Sequence, residues 1–367
     1  MKTFYFIGTS LLLLLILVEL AFLKLEKKEI PWREIATNLN SGHIILWIFR
    51  GFEVIVFVFI YRQVSFDLVA YLPNWLIWLS GFIVWDFCFY WHHRLHHKYK
   101  IFWLVHQVHH QGEHFNFSLG VRNSWYSSLT SIPFFMPMAL LGYNPESFII
   151  IGAIHYFIQF YNHNSIVRQS GFLEYIMITP SHHRVHHGRA KIYHNKNFGG
   201  TFVWWDKLFG TFQTEDRGLP EEYGVQGYSD HTDVIALNHE TALKPTPNDQ
   251  DGLVSLPGWV IFVGSMLLFF QLLFFIYYEK TLDGVYLAHL FFTIAIGTVL
   301  LSRMTQVRLI IFNLNLIVSI CLFGILGKCN PIDLTLFVLV CAYIIFCISL
   351  LIKYNYKWAL SGMKNWM

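Results

Sequence analysis

The feature that most constrains this chain is its long apolar runs, seven of which match the length of a membrane-crossing helix. A helix needs ~20 mostly apolar residues to cross the hydrocarbon core of a bilayer. The runs extend from about Phe4 to Leu23, Ile44 to Ile60, Leu68 to Trp91, Pro257 to Tyr278, Val285 to Leu301, Leu309 to Leu326 and Leu334 to Ile352. Two shorter stretches, Trp125 to Leu141 and Phe148 to Tyr161, flank the turn Gly142-Tyr143-Asn144-Pro145 and predict a shallow helical hairpin. Glu19 interrupts the first run and no small-residue cleavage site follows it, so this run is expected to be a retained anchor rather than a signal peptide.

Composition agrees. Only 13% of the residues are charged, against about 25% in an ordinary globular domain. The missing water-facing surface implies lipid-facing surface. A net charge of +3 without a basic run offers nothing to nucleic acid. Cys88, Cys321, Cys329, Cys341 and Cys347 have no CxxC spacing and are read as packed thiols, not a disulfide framework. The expected fold is therefore an all-α integral membrane protein. Its parts are N-terminal membrane helices (1–66), a catalytic domain (67–214), an acidic polar linker (215–252) and a C-terminal transmembrane bundle (253–367).

Lysine and arginine follow alternate runs: Lys24, Lys27, Lys28 and Arg33, then Arg94, Lys98, Lys100 and Arg122, then Arg303 and Arg308, then the tail from Lys353. Because the cytoplasmic side of a membrane protein gathers positive charge, these groups are expected to face the cytoplasm. Lys2 argues weakly the other way.

The second constraint is histidine. Of 19 histidines, 14 lie between His92 and His187. In His92-His93-Arg94-Leu95-His96-His97 a helix pairs either His93 with His97 or His92 with His96, since positions i and i+4 share a face. His106-Gln-Val-His109-His110 and His183-Arg-Val-His186-His187 repeat one spacing, with three imidazoles on one stripe. One HxxxH pair and two HxxHH sets supply eight imidazoles, twice the usual complement of one zinc ion. That number calls for two metals, and imidazole suits iron, copper and zinc alike. A loose His-rich tract would lack repeated helical spacing at three separate places.

The clusters and their surroundings resemble the fatty acid hydroxylase and sterol desaturase superfamily of membrane non-haem di-iron enzymes, and within it the alkylglycerol monooxygenase branch. The resemblance is carried by Trp91 to His97, His106 to Glu113, Asn116 to Ser124, Gln159 to His163, Thr179 to Arg189, Asn197 to Gly200 and Trp205 to Thr211. It covers roughly Gly81 to Phe212. It implies the metal-ligand set His93, His97, His106, His109, His110, His163, His183, His186 and His187, choosing His93 and His97 and adding His163. It also implies two iron ions, O2 and, as reductant, tetrahydrobiopterin; the electron donor is thus a reduced pterin or a redox protein. The chain departs from the branch at His114, where an acid is usual, and at Asn164, where threonine is.

Two carboxylates are candidates for the catalytic machinery. Glu113 follows His110 by three residues and, if the helix continues, orients an imidazole or binds iron. Asp206, in Trp204-Trp205-Asp206, is a structural or ligand-supporting candidate. His155 is expected to line the site and His182 to hydrogen-bond a ligand histidine, while His43, His194, His231 and His239 lack spacing partners. The expected function is O2-dependent hydroxylation of a lipid C–H, with cleavage of alkylglycerol ethers to a fatty aldehyde. Alternatives are a sterol, carotenoid or fatty-acyl hydroxylase or desaturase, and a non-enzymatic metal or lipid transporter. The expected location is the endoplasmic reticulum of a eukaryote or the inner membrane of a bacterium. Reporter cysteines at Lys28, near Glu222 and after Lys364 should all label from the cytoplasmic side, and one between Glu279 and Asp283 from the other. Labelling of Glu222 and Glu279 from one side would overturn the seven-span count.

Overall fold

The computed structural model describes residues 2–226, 233–239, 257–280, 282–301, 308, 310–317, 343–345 and 348, and among these it is helical without any β-strand. The helices are α1 (Lys2–Leu25), α2 (Trp32–Asn40), α3 (His43–Val64), α4 (Asn74–Lys98), α5 (Lys100–His110), α6 (Ser127–Leu141), α7 (Pro145–Asn162), α8 (Pro180–His187), α9 (Trp204–Leu208), α10 (Val234–His239), α11 (Gly258–Tyr278) and α12 (Gly284–Leu301). The expected spans around Leu309 to Leu326 and Leu334 to Ile352 lie largely outside the described residues, as do His231 and every cysteine but Cys88, which is buried and free.

Four described stretches are long and apolar enough to cross a membrane: Gly8–Leu25, Trp32–Val64, Gly258–Tyr278 and Gly284–Leu301. They leave large apolar side chains uncovered, among them Leu14, Ile55, Phe59 and Phe292. In water such a surface would aggregate, so it suits acyl chains. The third expected span, Leu68 to Trp91, is not among the four. Its helix starts only at Asn74 and runs unbroken to Lys98, but the buried Asp86 and the histidines beyond Trp91 interrupt its apolar run.

Of the four apolar clusters in the described core, two bear on the histidine-bearing helices. One joins α3, α4, α6 and α7 around Phe57, Trp85, Phe135 and Phe148. The other joins α1, α2 and α11 to Phe117 and Phe160. Polar ties brace each of them. Glu19 of α1 is buried and accepts from Phe117 N at 2.6 Å and from Ser165 N and Oγ. Within α3, Glu53 pairs with Arg50 and accepts from Ser131 Oγ of α6.

The two short apolar stretches form helices α6 and α7 on either side of the expected turn, and each packs on α3 and α4 rather than on the other. Asn144 caps α7 by accepting from Ser147 N, and Pro145 occupies its first turn, where a missing N–H is harmless. Gly142 ends α6 with φ +100°, a conformation that only glycine takes without strain. The acidic stretch after Glu215 is not simply a solvated linker. Glu215 pairs with Arg184, and α10 inside the stretch buries Val234, Leu237 and Asn238, the last accepting from Trp125 N and Ser124 Oγ. Its acidic composition hid a short apolar face that packs on the domain.

Gly142→Ala should destabilise the fold by about 1–3 kcal/mol, because the new Cβ also meets Asp67 Cα at 2.8 Å. Thermal unfolding in detergent should show a lowered midpoint, and an unchanged one would show that this turn relaxes freely.

Candidate metal centre

The site forms where helix ends meet. Tyr99 is extended (φ −105°, ψ 126°), so α4 stops at Lys98 and α5 folds back beside it. α4 presents His93 and His97, one turn apart; α5 presents His106, His109 and His110. His163 caps the end of α7, and α8, started by Pro180 in its first turn, presents His183, His186 and His187.

These nine histidines converge into two groups, each with its ligand-capable nitrogens within 4.8 Å of one another. One holds His93, His97, His106, His110 and His186; the other holds His109, His163, His183 and His187. The HxxHH spacing explains the division. Residues i and i+4 lie close in angle on a helix and i+3 lies on their other side. So His106 and His110 serve one group and His109 the other, while His183 and His187 serve the second and His186 the first. The rings of His110 and His187 stack at 4.3 Å between the groups.

Protonation shows what such a site must contain. Four Nδ1 atoms face backbone carbonyls: His93 to Phe198, His186 to Lys196 and His109 to Arg122, each at 2.9 Å, and His163 to Gln159 at 2.7 Å. A carbonyl oxygen only accepts, so each Nδ1 carries the proton, and in a neutral ring Nε2 is then a bare lone pair. Yet His109 Nε2 and His163 Nε2 lie 3.1 Å apart. His183 Nε2 lies 2.9 Å from His163 Nε2, and His186 Nε2 is 3.1 Å from His110 Nε2. His97 Nε2 and His187 Nε2 are buried without a hydrogen-bond partner. Protonating the rings would relieve this, but burial holds all nine imidazoles below the usual histidine range, His109 at about 4 and His186 at about 3. Lone pairs converging in a buried space fit a cation. Two nitrogens each ~2.1 Å from one ion and at a right angle sit ~3 Å apart. Neither group contains a carboxylate.

A loop fixes two of these rings, and two buried acids fix the loop. Lys196 and Phe198, whose carbonyls receive His186 and His93, begin the stretch to Phe202. Asp206 accepts from Phe198 N, Gly199 N and Thr211 Oγ1, each at 2.7 Å. Asp86 accepts from Thr201 N at 2.6 Å, Phe202 N at 3.0 Å and Trp205 Nε1 at 2.9 Å, and lies 2.8 Å from His155 Nε2. Burial pushes the Asp206 carboxyl up to about 6 against the pull of these donors. A side chain at Gly199 would collide with Asp206 Oδ2 and Phe202 O, both at 2.7 Å, so the tight turn requires glycine.

Other expectations fare differently. Asp206 belongs to neither histidine group and acts on His93 through the Phe198 backbone. Glu113 is exposed, and α5 has already ended at His110, so the two do not share a helical face. His92 and His96 stay outside both groups, with His96 bonded to the His92 carbonyl and to Thr130 Oγ1. His182 faces Thr179 Oγ1 at 3.3 Å rather than a ligand-capable ring. His155 faces Asp86 and not the metal groups. The departing residue His114 pairs with Glu34 of α2. His43 faces Thr298 Oγ1, His239 faces the Tyr126 hydroxyl, and His194 is exposed near the Arg189 carbonyl. Asp86 was missed in the sequence, although a lone acid in an apolar helix, seven residues before His93, was a signal. Arg122, counted in the sequence among the charges facing the cytoplasm, is instead an internal brace of the domain. It is wholly buried, donates to Val108 O and Asn38 Oδ1, and so steadies the carbonyl that receives His109.

Residues 78–211, which contain both histidine groups, match the family model for fatty acid hydroxylase. This segment is thus similar to the fatty acid hydroxylase family. Similar curated proteins include alkylglycerol monooxygenase of Danio rerio, 36% identical over 214 residues, covering 58% of this chain and 47% of that protein. Alkylglycerol monooxygenase of Homo sapiens is 34% identical over 215 residues, 57% of this chain and 48% of that one. An ornithine lipid hydroxylase of Rhizobium tropici is 33% identical over 149 residues, 40% and 45% of the two chains. The chain thus spans about half the length of the curated relatives it matches. No solved structure matches it.

Loss of a partner that orients a metal ligand weakens metal binding by about 10- to 100-fold. Asp206→Asn, which turns one acceptor into a donor facing an N–H, should do so while the chain stays folded. Metal analysis of purified protein should show His93→Ala, His109→Ala and His186→Ala depleted and His194→Ala unchanged. Full metal content in Asp206→Asn at limiting metal would show that the loop does not govern the site.

Proposed function

We propose that this protein is a membrane di-iron monooxygenase that hydroxylates a lipid C–H, and that its substrate is the ether-linked chain of an alkylglycerol. The observation that carries the reading is the pair of adjacent, buried, all-imidazole groups within a segment similar to the fatty acid hydroxylase family. When bound, an iron pair supplies reductive O2 activation and hydrogen abstraction from an unactivated carbon. The nine histidines would hold it, the five on one ion and the four on the other.

The chain's own residues supply position and dryness. Phe198 lies 5.2–5.8 Å from the rings of His93, His97 and His186, and Phe115 lies 5.6–6.2 Å from His163, His183 and His187. Each phenylalanine shields one group from water, which keeps a reactive centre from unproductive turnover. The Nδ1 protons stay with backbone carbonyls, so Nε2 remains free for metal. Exposed apolar helices let a lipid chain approach from the bilayer. The balance for the ether is RCH2–OR′ + O2 + two electrons + two protons, giving RCH(OH)–OR′ and water. The hemiacetal then collapses to a fatty aldehyde and a glycerol derivative. An organic reductant of the tetrahydrobiopterin type would supply the electrons, and the cytoplasmic face of the membrane is the proposed side of the site.

The similarity to an ornithine lipid hydroxylase favours a second reading, hydroxylation of an acyl chain on a polar lipid. Histidine spacing does not separate the two, because it serves the metal and not the lipid. Membranes containing the protein, given O2 and reduced pterin, should release aldehyde from labelled 1-O-alkylglycerol, with His186→Ala as the dead control. Purified protein should hold about two irons per chain, by the ligand count. Hydroxylated acyl lipid without aldehyde would move the assignment to the second reading, and full activity with zinc in place of iron would end the di-iron reading.

A further inference from the structure

Two short segments on the outside of the domain expose apolar side chains that no membrane-crossing helix accounts for. One is the 3-10 turn Gly171–Tyr175, and the other is α9. Backbone hydrogen bonds join them: Ile178 N donates to Thr201 O at 2.8 Å and Val203 N to Ile176 O at 3.1 Å. Lys207 of α9 adds a bond to the Tyr175 carbonyl at 3.2 Å. Phe172 and Tyr175 are each 71% exposed, Leu208 68%, Leu173 50% and Trp204 45%. None of the five belongs to an apolar cluster of the described core. Scattered apolar residues on a surface need no explanation, but a set gathered on two joined segments does.

The charges of these segments leave the surface apolar. Glu174 turns inward, its Oε1 accepting from Ser170 N at 2.9 Å and from Ser181 Oγ at 3.0 Å. Asp206 is buried beneath the loop it holds. Lys207 alone is exposed. Tryptophan, tyrosine and a single cation around exposed phenylalanine and leucine make the composition of a surface lying where a bilayer meets water. There the aromatic rings sit at headgroup level, the aliphatic tips reach the first chain carbons, and an amine meets phosphate.

Position agrees with composition. Trp205 of α9 meets Phe87 of α4 edge-on at 5.0 Å and donates through Nε1 to Asp86. Phe87 is itself exposed, so apolar surface passes from α4 onto α9. A helix rises ~1.5 Å per residue, which puts Phe87 ~9 Å from His93 along α4, toward its apolar end.

We propose that the face formed by the Gly171–Tyr175 turn and α9 is seated in the lipid headgroup region, with anionic headgroups against Lys207. This is a second kind of contact with the bilayer, made by the histidine-bearing domain itself and not by a spanning helix. It lies next to the site. The loop from Lys196 to Phe202, whose carbonyls receive His93 and His186, leads directly into α9. Those carbonyls are therefore placed just beneath the bilayer surface. The inference does not depend on which metal the histidines hold.

The test uses the full chain in nanodiscs of phosphatidylcholine and phosphatidylglycerol. The native cysteines are replaced by alanine, and a nitroxide is attached at Phe172→Cys, Leu208→Cys or, for comparison, Arg217→Cys, an exposed position in the acidic stretch. Power saturation reads the collision of each label with O2, which concentrates in lipid, and with a nickel chelate, which stays in water. The Phe172 and Leu208 labels should show an oxygen-to-nickel ratio severalfold above that of the Arg217 label. Labels at Phe172 and Leu208 as open to nickel as the one at Arg217 would overturn the proposal. So would labels reached by neither reagent, since protein would then cover the face, and dipolar coupling between chains would identify a second copy as the cover. Lys207→Glu should draw the Leu208 label severalfold toward the aqueous ratio in these discs and leave it unmoved in discs of phosphatidylcholine alone. An equal reading in both would overturn the placement of anionic headgroups at this lysine.

Discussion

Nitrogen lone pairs that face one another in a buried space are the interaction on which this domain turns. His109 and His163 each give their Nδ1 proton to a backbone carbonyl, which leaves their Nε2 atoms bare and 3.1 Å apart. In water such a contact would be hydrated or relieved by a proton. Here burial disfavours the protonated ring, so neither escape is open. A cation removes the repulsion and gains ligands already oriented. The surrounding structure can be understood as a frame that holds these lone pairs together until the ion arrives.

That frame is made of backbone more than of side chains. Helix α4 breaks at Tyr99 so that α5 can lie beside it, and α8 is a helix of two turns whose histidines meet theirs. The loop from Lys196 to Phe202 contributes carbonyls rather than functional groups. It keeps its shape because Asp86 and Asp206 bind four of its N–H groups. Both acids are buried, and a buried carboxylate is tolerable when its lone pairs are filled. Their negative charge also sits close to a centre whose proposed ligands are all neutral.

The apolar helices give this centre its setting. Glu19 of α1 reaches Phe117 and Ser165, which flank the second histidine group on the chain, so a membrane-capable helix is tied directly to the domain. Phe198 and Phe115 cover the two groups separately, one beside the carbonyl loop and the other beside Tyr223.

By itself the sequence determined the class of the chain and the three histidine clusters, while the choice of His93 and His97 and the addition of His163 came from the family resemblance. Apolar runs, sparse charge and repeated helical spacing are local properties, and they survive in the fold as helices and as ring pairs one turn apart. It did not determine which ring joins which group, why His92 and His96 stand aside, or that Glu113 lies beyond the end of α5. Nor did it show Asp86 as the partner of a loop more than a hundred residues away. Only the tertiary structure decided these, because a helix face acquires meaning from what packs against it. A buried carboxylate likewise shows its role only when distant N–H groups are brought within hydrogen-bonding distance.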